Sequence, residues 1–593
     1  MLIIFLILSI LHPCTIGGAY DNEGRPYIFK VRDRDEQYEN NKLHYNTSGT
    51  ISYVGNINVG TPNLNQTWMG VNEQGLAIIN AFVSDSLRTS DNGKFMHDVL
   101  STCSTLNQFE NLIQTDISNS YNNLFGNYLL IDNNPSEDEQ SQLWLYEIML
   151  ENGQIISDID NITEIGLDEY VCRSNFILDS SNVDNYGNNN PGSKAHYRYL
   201  SCKELLSPLT GSQNMNEINL INNITRSFKY SNNNNYSIPL EGQVGYTYGS
   251  NEGRPYGYIS TLYSISRNKN VSASVIRGVI NNEEPILTTM WISLGNPASS
   301  IFTPIFPIGY PPPELRGNIL NGNEDDNSTS PICNLSNTIK DKLYSFPEIP
   351  YDDISQSKYI DSFQLDNGVG GGIWNDYIKN TELNIYNITS LTLNDLYDNH
   401  DLLSLTSHLN SLQNLAASSA FSNLNNIDTL KENIISDFDF TNLGNEYKLL
   451  DKSLHCPLSW TWNIPGQTIT NNNQNPIIQY NEYGTFIINL DTSDNNNTDS
   501  SYLVLGCTEL NAHNINEGND VYHVGRLCQH QNYDLGDINF DSDVNISDTV
   551  LLIDKILHFY YFSQSFDNNE DLNIDGAVNI TDIIILVDII LNN

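Results

Sequence analysis

The first residue in this chain that could do chemistry is a cysteine placed directly after an apolar leader. Residues 1–11, MLIIFLILSIL, are apolar but for Ser9, and His12 and Pro13 separate them from Cys14. Such a run is too short to span a bilayer and reads as the core of an export signal, although a basic start is missing. Removal of residues 1–13 would leave a thiol and a primary amine on one residue. An α-amine, with a reference pKa of about 8, can take the thiol proton, and the thiolate is the nucleophile. That device suits acyl transfer: attack on an amide carbonyl, departure of the amine, and release of the acyl group to water or a second amine. A second chemistry sits at the far end. GDINFDSDVNISD, from Gly536, is echoed by EDLNIDGAVNITD, from Glu570. Side-chain oxygens fall at loop positions 1, 3, 5, 9 and 12: Asp537, Asn539, Asp541, Asn545 and Asp548, then Asp571, Asn573, Asp575, Asn579 and Asp582. Position 7, Asp543 or Ala577, would add a backbone carbonyl. Calcium takes six to eight oxygens, and this spacing wraps a loop around one ion, so the duplication predicts two calcium sites.

Elements must hold these residues. With 593 residues the chain is too long for one core, and three or four domains are expected. The net charge is −44, from 27 Lys+Arg against 71 Asp+Glu. That excludes nucleic acid as a partner and disfavours anionic membranes. It fits solubility in a salty exterior, or calcium binding. No later run reaches about 18 apolar residues, so no transmembrane segment is expected. Apolar helices, TVLLIDKIL and IIILVDIIL, follow the two acidic loops. Upstream, from Cys456, alternating apolar residues and turn signals predict a β-sandwich in which Trp460, Trp462 and Tyr480 are core. Residues 509–533 read as a linker, with Cys507 and Cys528 placed to pin it. There are eight cysteines: an even count would pair completely, whereas a free Cys14 leaves at least one other unpaired.

Resemblances carry the reading further. CTIGGAYDNEGRPYIFKVRDRD, from Cys14, is similar to the start of an N-terminal-nucleophile (Ntn) hydrolase of the peptidase C45 type, the group of isopenicillin-N acyltransferase and carcinine hydrolase relatives, with choloylglycine hydrolases as broader kin. Asn-Glu-Gly-Arg-Pro stands where the pattern has Asp-Gly-Arg-Pro. WMGVNEQGLAIINA from Trp68, the helix from Gly93, EYVCRSNFIL from Glu169 and the strands from Ser272 follow in the family's order, to about residue 313. The resemblance implies a fold of two antiparallel sheets between helix layers (αββα), with Cys14 as nucleophile and its amine as base. It implies that Asp33 holds the amine or thiol, and that Lys30 favours the thiolate or binds a substrate carboxylate. Asn175 would donate its side-chain amide to the oxyanion, with Asn80 a second candidate or a structural turn residue. Asp33 read instead as a strand-end carboxylate pairs with Arg32 or Arg34, and Arg173 reads as a salt bridge rather than a substrate clamp. Phe176 occupies a position where many relatives have histidine. Residues 436–508 resemble a PKD domain, and 534–593 a type I dockerin, which implies a cohesin-like protein partner. Ser542 replaces the loop glycine, and Ile546 and Ile580 stand where many dockerins carry polar recognition residues.

The expectation is therefore a multidomain chain: leader 1–13, α+β Ntn hydrolase 14–435, β-sandwich 436–508, linker 509–533 and a small all-α dockerin 534–593. The function expected is a secreted or cell-surface cysteine amidohydrolase or acyltransferase acting on a small-molecule amide, needing no cofactor itself and tethered through the calcium-binding end. Two alternatives stay open: a non-catalytic adhesion or scaffold-binding protein with a degenerate hydrolase domain, or a lipidated Cys14. Pro13 is unfavourable for signal peptidase, whereas cleavage after Gly17-Gly18-Ala19 would discard Cys14; autocatalytic cleavage would keep it. NGVGGGIWN, from Asn367, reads as a flexible turn, and His196, His408, His523 and His530 show no metal spacing.

Overall fold

A computed structural model describes residues 14–34, 39–60, 64–83, 90–133, 142–155, 162–178, 193–229, 258–280, 283–320, 323–324, 327–344, 359–366, 372–397, 401–428, 436, 438–442, 447–451, 460–464, 467–470, 475–478, 484–492, 498–506, 521–523, 536–539, 541, 543–558, 570, 572–573 and 578–592. The leader, residues 367–371 of the glycine-rich turn, Tyr480, Cys456, Cys507, Cys528, Ser542, Asp571, Asp575 and Ala577 lie outside these residues, and the end of that turn enters a helix at Trp374–Ile378. The chain divides into two compact units, 1–432 and 433–593.

The N-terminal unit begins with a hairpin, β1 (Thr15–Tyr20) and β2 (Pro26–Asp33). Its turn is made by the Asn-Glu-Gly-Arg-Pro segment. Asp21 Oδ1 accepts from the backbone N–H of Glu23 (2.8 Å) and Arg25 (2.9 Å), and Gly24 takes φ +83°, a conformation that favours glycine. Arg25 then forks onto Glu283 with two 2.7 Å bonds. In the resulting register Thr15 faces Val31 and Ile16 faces Lys30, so Cys14 lies one residue beyond the last pair. At Gly17 a side chain would meet the Phe29 ring at 2.6 Å and the Val171 carbonyl at 2.9 Å, which explains a glycine in the middle of a buried strand.

Strands follow as β3 (Asn41–Asn46), β4 (Tyr53–Asn58), β5 (Met69–Asn72), β6 (Ala77–Phe82), β7 (Asn123–Asp132), β8 (Gln142–Glu151), β9 (Ile162–Glu164), β10 (Tyr170–Arg173), β11 (Asn270–Arg277), β12 (Thr289–Leu294) and β13 (Thr303–Ile305). Among the described residues one sheet has the order β10-β1-β2-β11-β12-β13 and the other β9-β8-β7-β6-β5-β4-β3; the short strand Gln154–Ile155 also pairs with β8. Helices α1 (Asn92–Thr102) and α2 (Leu106–Ser120) cover the outer face of the second sheet. Period-two alternation divides its residues: Ile78, Tyr128 and Leu130 join Phe95, Val99 and Phe109 of these helices, while Ile79, Leu129 and Ile131 join the core shared with the first sheet. The first sheet's outer face meets α3 (Lys194–Leu206), α4 (Pro331–Leu343), α5 (Lys379–Leu396) and α6 (Leu402–Asp428); Trp291 on β12 meets Tyr386 on α5. The layers are thus helix, sheet, sheet, helix, the αββα order expected. A disulfide joins Cys172 of β10 to Cys202 of α3, while Cys14, Cys103 and Cys333 carry free thiols.

In the C-terminal unit, β14 (Phe438–Asn442), β15 (Tyr447–Asp451) and β18 (Ile477–Ile478) form one sheet. The other runs β17 (Gln467–Thr470), β16 (Trp460–Ile464), β19 (Gly484–Thr492), β20 (Thr498–Gly506), β21 (Val521–His523). Trp462 is fully buried between them against the edge of Phe438, and Trp460 is buried too, so both tryptophans are core as expected. Two helices, α7 (Ile546–His558) and α8 (Ile580–Asn592), follow the acidic loops. Ile538 and Leu572, and Leu552 and Leu586, stand 34 positions apart in sequence and share one small core, so the sequence duplication is also a packing duplication. Among the described residues no helix is long and apolar enough to cross a membrane.

Candidate active site

Antiparallel pairing brings four chain segments to one end of the first sheet: the start of β1, the end of β2, the end of β10 and the start of β11. Cys14, Asp33, Asn175 and Asn270 are therefore neighbours in the fold, although up to 256 positions apart in sequence. Cys14 is nearly fully buried. Its backbone N–H donates to Asn175 Oδ1 at 2.9 Å, and its carbonyl accepts from Ser174 Oγ at 3.1 Å. The segment bearing these two residues is held from the second sheet, where Asn127 Nδ2 donates to the carbonyls of Ser174 and Phe176, both at 3.0 Å.

Asn175 therefore reaches Cys14, but with its oxygen. One N–H of its Nδ2 donates to the Phe82 carbonyl at 2.6 Å. Asn80 offers the complementary case. Its Oδ1 accepts from Lys30 Nζ at 2.6 Å, which fixes the amide orientation, and no protein acceptor among the described residues takes its Nδ2.

Lys30 crosses from β2 to the second sheet and also donates to the Trp68 carbonyl at 2.6 Å. Burial lowers its pKa from the ordinary lysine value to about 7; the Cys14 thiolate acts to raise it, and Arg32 and Arg34 lower it further. Arg32, also buried, donates to Asn41 (2.7 Å), Asn56 (3.3 Å) and Asn58 (2.6 Å), and it lies within electrostatic reach of Cys14. Two basic side chains, Lys30 and Arg32, are thus within electrostatic reach of the cysteine.

Asp33 departs from both of its expected roles. It accepts from Arg267 Nε (3.0 Å) and Nη2 (2.7 Å) and from Asn270 Nδ2. Its partners are therefore neither Cys14 nor Arg32 or Arg34; a charge-assisted fork ties it to the segment entering β11. Arg173 forms the expected salt bridge, to Glu147 at 2.9 Å. Phe176 is buried and packs its ring against Tyr199 and His196 of α3, a packing role. Ser174, Arg198, Arg267 and Asn270 belong to the site and were not expected. Ser174 adjoins an expected residue; the others lie in segments with no local signature.

The acidic loops form a second cluster. Asp548 Oδ1 accepts from the backbone N–H of Ile538 (2.8 Å) and Asn539 (2.9 Å), and its Oδ2 from Asn545 (2.8 Å). Asp582 repeats this with Leu572 (2.9 Å), Asn573 (3.3 Å) and Asn579 (2.8 Å). Asp537 and Asn539 both accept from the Asp541 N–H, and Asp541 accepts from that of Asp543. Among the described residues no three His, Cys, Asp or Glu side chains gather as a metal-holding group. The donors of each loop are all oxygens, carboxylate, amide and backbone, a set whose chemistry suits a hard cation.

No family model matches the chain, and no curated protein matches it. Among solved structures it is similar to two of the conjugated bile acid hydrolase from Clostridium perfringens, each a mutated form. One has 11% identity over 49% of this chain and 92% of the other, with a TM-score of 0.26. The second has 10% identity over 53% of this chain and 98% of the other, with a TM-score of 0.27.

Proposed function

We propose that this chain is an N-terminal-nucleophile amidohydrolase or acyltransferase whose nucleophile is Cys14. The observation that carries the reading is the pair of bonds on the Cys14 backbone, N–H to Asn175 and carbonyl from Ser174. A buried residue gripped at both ends is what a nucleophile generated by cleavage needs if it is to stay in place afterwards. Once residues 1–13 are removed, the Cys14 amine takes the thiol proton. The sulfur attacks the amide carbon, forming a C–S bond while the carbonyl electrons move to oxygen. Asn80 Nδ2 is the donor available to that oxyanion. Collapse breaks the C–N bond, the leaving amine takes the proton from the ammonium, and water or a second amine then releases the acyl group from sulfur. Asn175 in this reading orients the amine, and Lys30 in its cationic form favours the thiolate.

The C-terminal unit is read as a spacer sandwich of PKD type and a calcium-binding docking pair of dockerin type. Asp537, Asn539, Asp541, Asn545 and Asp548, with the Asp543 carbonyl, would hold one ion, and the equivalent second set the other. Bound calcium would supply charge that fixes the loop conformation. Ile546 (71% exposed) and Ile580 (65%) open the two helices at equivalent positions, and Val550 (62%) and Ile584 (62%) repeat one turn later. This duplicated apolar exposure supports a protein partner. Export to the exterior or the cell surface is supported by the disulfide.

The deciding experiment is intact mass and terminal sequencing of the mature protein, with hydrolysis of N-acyl p-nitroanilides by wild type and Cys14→Ala. A mature chain beginning at Cys14, active only with that cysteine, is the expected result. A chain beginning at Tyr20, or a lipidated Cys14, sinks the enzyme reading and leaves the adhesion alternative.

A further inference from the structure

Buried arginines in this protein are generally matched by acids. Arg226 forks onto Glu382 with two 2.6 Å bonds, Arg25 onto Glu283, Arg267 onto Asp33, and Arg173 meets Glu147. Arg198, on α3, is fully buried and has no carboxylate partner among the described residues. A single nitrogen, Nη2, makes all its side-chain hydrogen bonds, to Ser174 Oγ at 3.1 Å and Asn175 Oδ1 at 2.8 Å; Nε and Nη1 have no partner. Those two residues are the pair that grips the Cys14 carbonyl and N–H. One guanidinium thus closes both arms of the clamp. Its helix is covalently fixed at the same place: Cys202, one turn beyond Arg198, is bonded to Cys172, two residues before Ser174. A buried charge with unsatisfied donors costs stability, and here no local pairing offsets it.

We propose that Arg198 is a positioning residue that acts on Cys14 through Ser174 and Asn175, fixing the orientation of the nucleophile and keeping its amine and thiol ready to deprotonate. This rests on the nucleophile reading of Cys14. The physical basis is a positive charge one hydrogen-bonded residue away from the Cys14 nitrogen, which disfavours a second charge on the amine and favours the thiolate. The other charges facing this point are Arg267 and Asp33, which act on Arg198, and Lys30 and Arg32, which act on Cys14 from β2. Burial, with Arg267 adding to it, lowers the Arg198 pKa to about 9, while Asp33 and Cys14 act to raise it; the group remains cationic at neutral pH.

The test compares full-length wild type with Arg198→Met, Arg198→Gln and Arg198→Lys. Two pH profiles are read: iodoacetamide alkylation of Cys14, located by peptide mass mapping, and kcat/KM on N-acyl p-nitroanilides. The neutral variants are expected to move the acid limb of both profiles upward by about one pH unit, a roughly tenfold loss below the limb. Arg198→Lys, which keeps the charge, is expected to restore the limb. Arg198→Gln, which keeps a donor, covers the case in which Arg198→Met does not fold. A neutral variant whose limb coincides with wild type overturns the proposal, as does a lysine variant displaced as far as the neutral ones. Absence of turnover in wild type would remove the amidase reading, yet the alkylation profiles would still decide the role of Arg198.

Discussion

The two polar clusters of this molecule are built in opposite ways. Around Cys14, the bonds on the cysteine backbone and on Asp33 join residues distant in sequence: Cys14 to Asn175 spans 161 positions, and Asp33 to Arg267 spans 234. The groups are buried and mostly cationic. In the acidic loops, the buried Asp548 and Asp582 bind backbone groups at most ten positions away, while Asp541 and Asp543 are exposed. The first cluster exists only when the whole N-terminal core is assembled. The second is written into thirteen residues and needs one turn of helix to complete it. A site built from long-range contacts can hold desolvated charge and shift proton affinities; one built locally is set by the residues that flank it.

That contrast can be broken most sharply at Cys14 itself. Cys14→Ala is expected to remove amide hydrolysis, a loss on the order of 10⁶-fold, leaving only background in an anilide assay. Retained turnover would move the nucleophile elsewhere. Asn175→Ala is expected to lose about 10²–10³-fold in kcat, the scale of a removed polar contact at the reacting centre; an unchanged kcat with a raised KM would make Asn175 a substrate contact instead. Lys30 sets the alkaline side. Its pKa is depressed to about 7, so the cation is present below that pH and is lost as pH rises through it. The kcat/KM profile is expected to fall above about pH 7, and Lys30→Arg, permanently charged, is expected to shift that fall upward. A wild-type profile flat from pH 6 to 9 would remove Lys30 from the chemistry.

The smallest effects belong to the other cluster. Asp548→Ala strips acceptors from three backbone N–H groups and is expected to cost about 1–3 kcal/mol in the C-terminal unit, read as a lowered melting transition. Added calcium is expected to raise that transition in wild type by mass action on the folded form. No shift at millimolar calcium would mean the loops are closed by their own hydrogen bonds.

Legibility in the sequence followed the same division. The duplicated loops could be read from spacing alone, because their contacts are local, and alternation around Trp460 and Trp462 marked a core. Cys14 was visible through its place after the leader. Lys30, Asp33, Asn80 and Asn175 could be named only through resemblance, and the partners of two of them differ from those expected. Asp33 meets Arg267, and Asn175 presents oxygen rather than nitrogen, since side-chain orientation is decided by neighbours that no local pattern encodes. Arg198 and Arg267 left no signal, because an arginine in a polar helix and another in a loop acquire meaning only when the sheet edge brings them to Cys14.

The bond between Cys172 and Cys202 also orders events in time. While both thiols are reduced, α3 is held to the end of β10 by packing and by the Arg198 bonds to Ser174 and Asn175, without a covalent tie. Oxidation closes a loop of 30 residues and fixes it. A chain with Cys172 and Cys202 reduced would therefore hold Cys14 through hydrogen bonds without that covalent support. Dithiothreitol treatment of the mature protein is expected to lower amide hydrolysis while leaving Cys14 intact by mass, with recovery on reoxidation; unchanged activity after reduction would show that packing and the Arg198 bonds hold the helix without the disulfide.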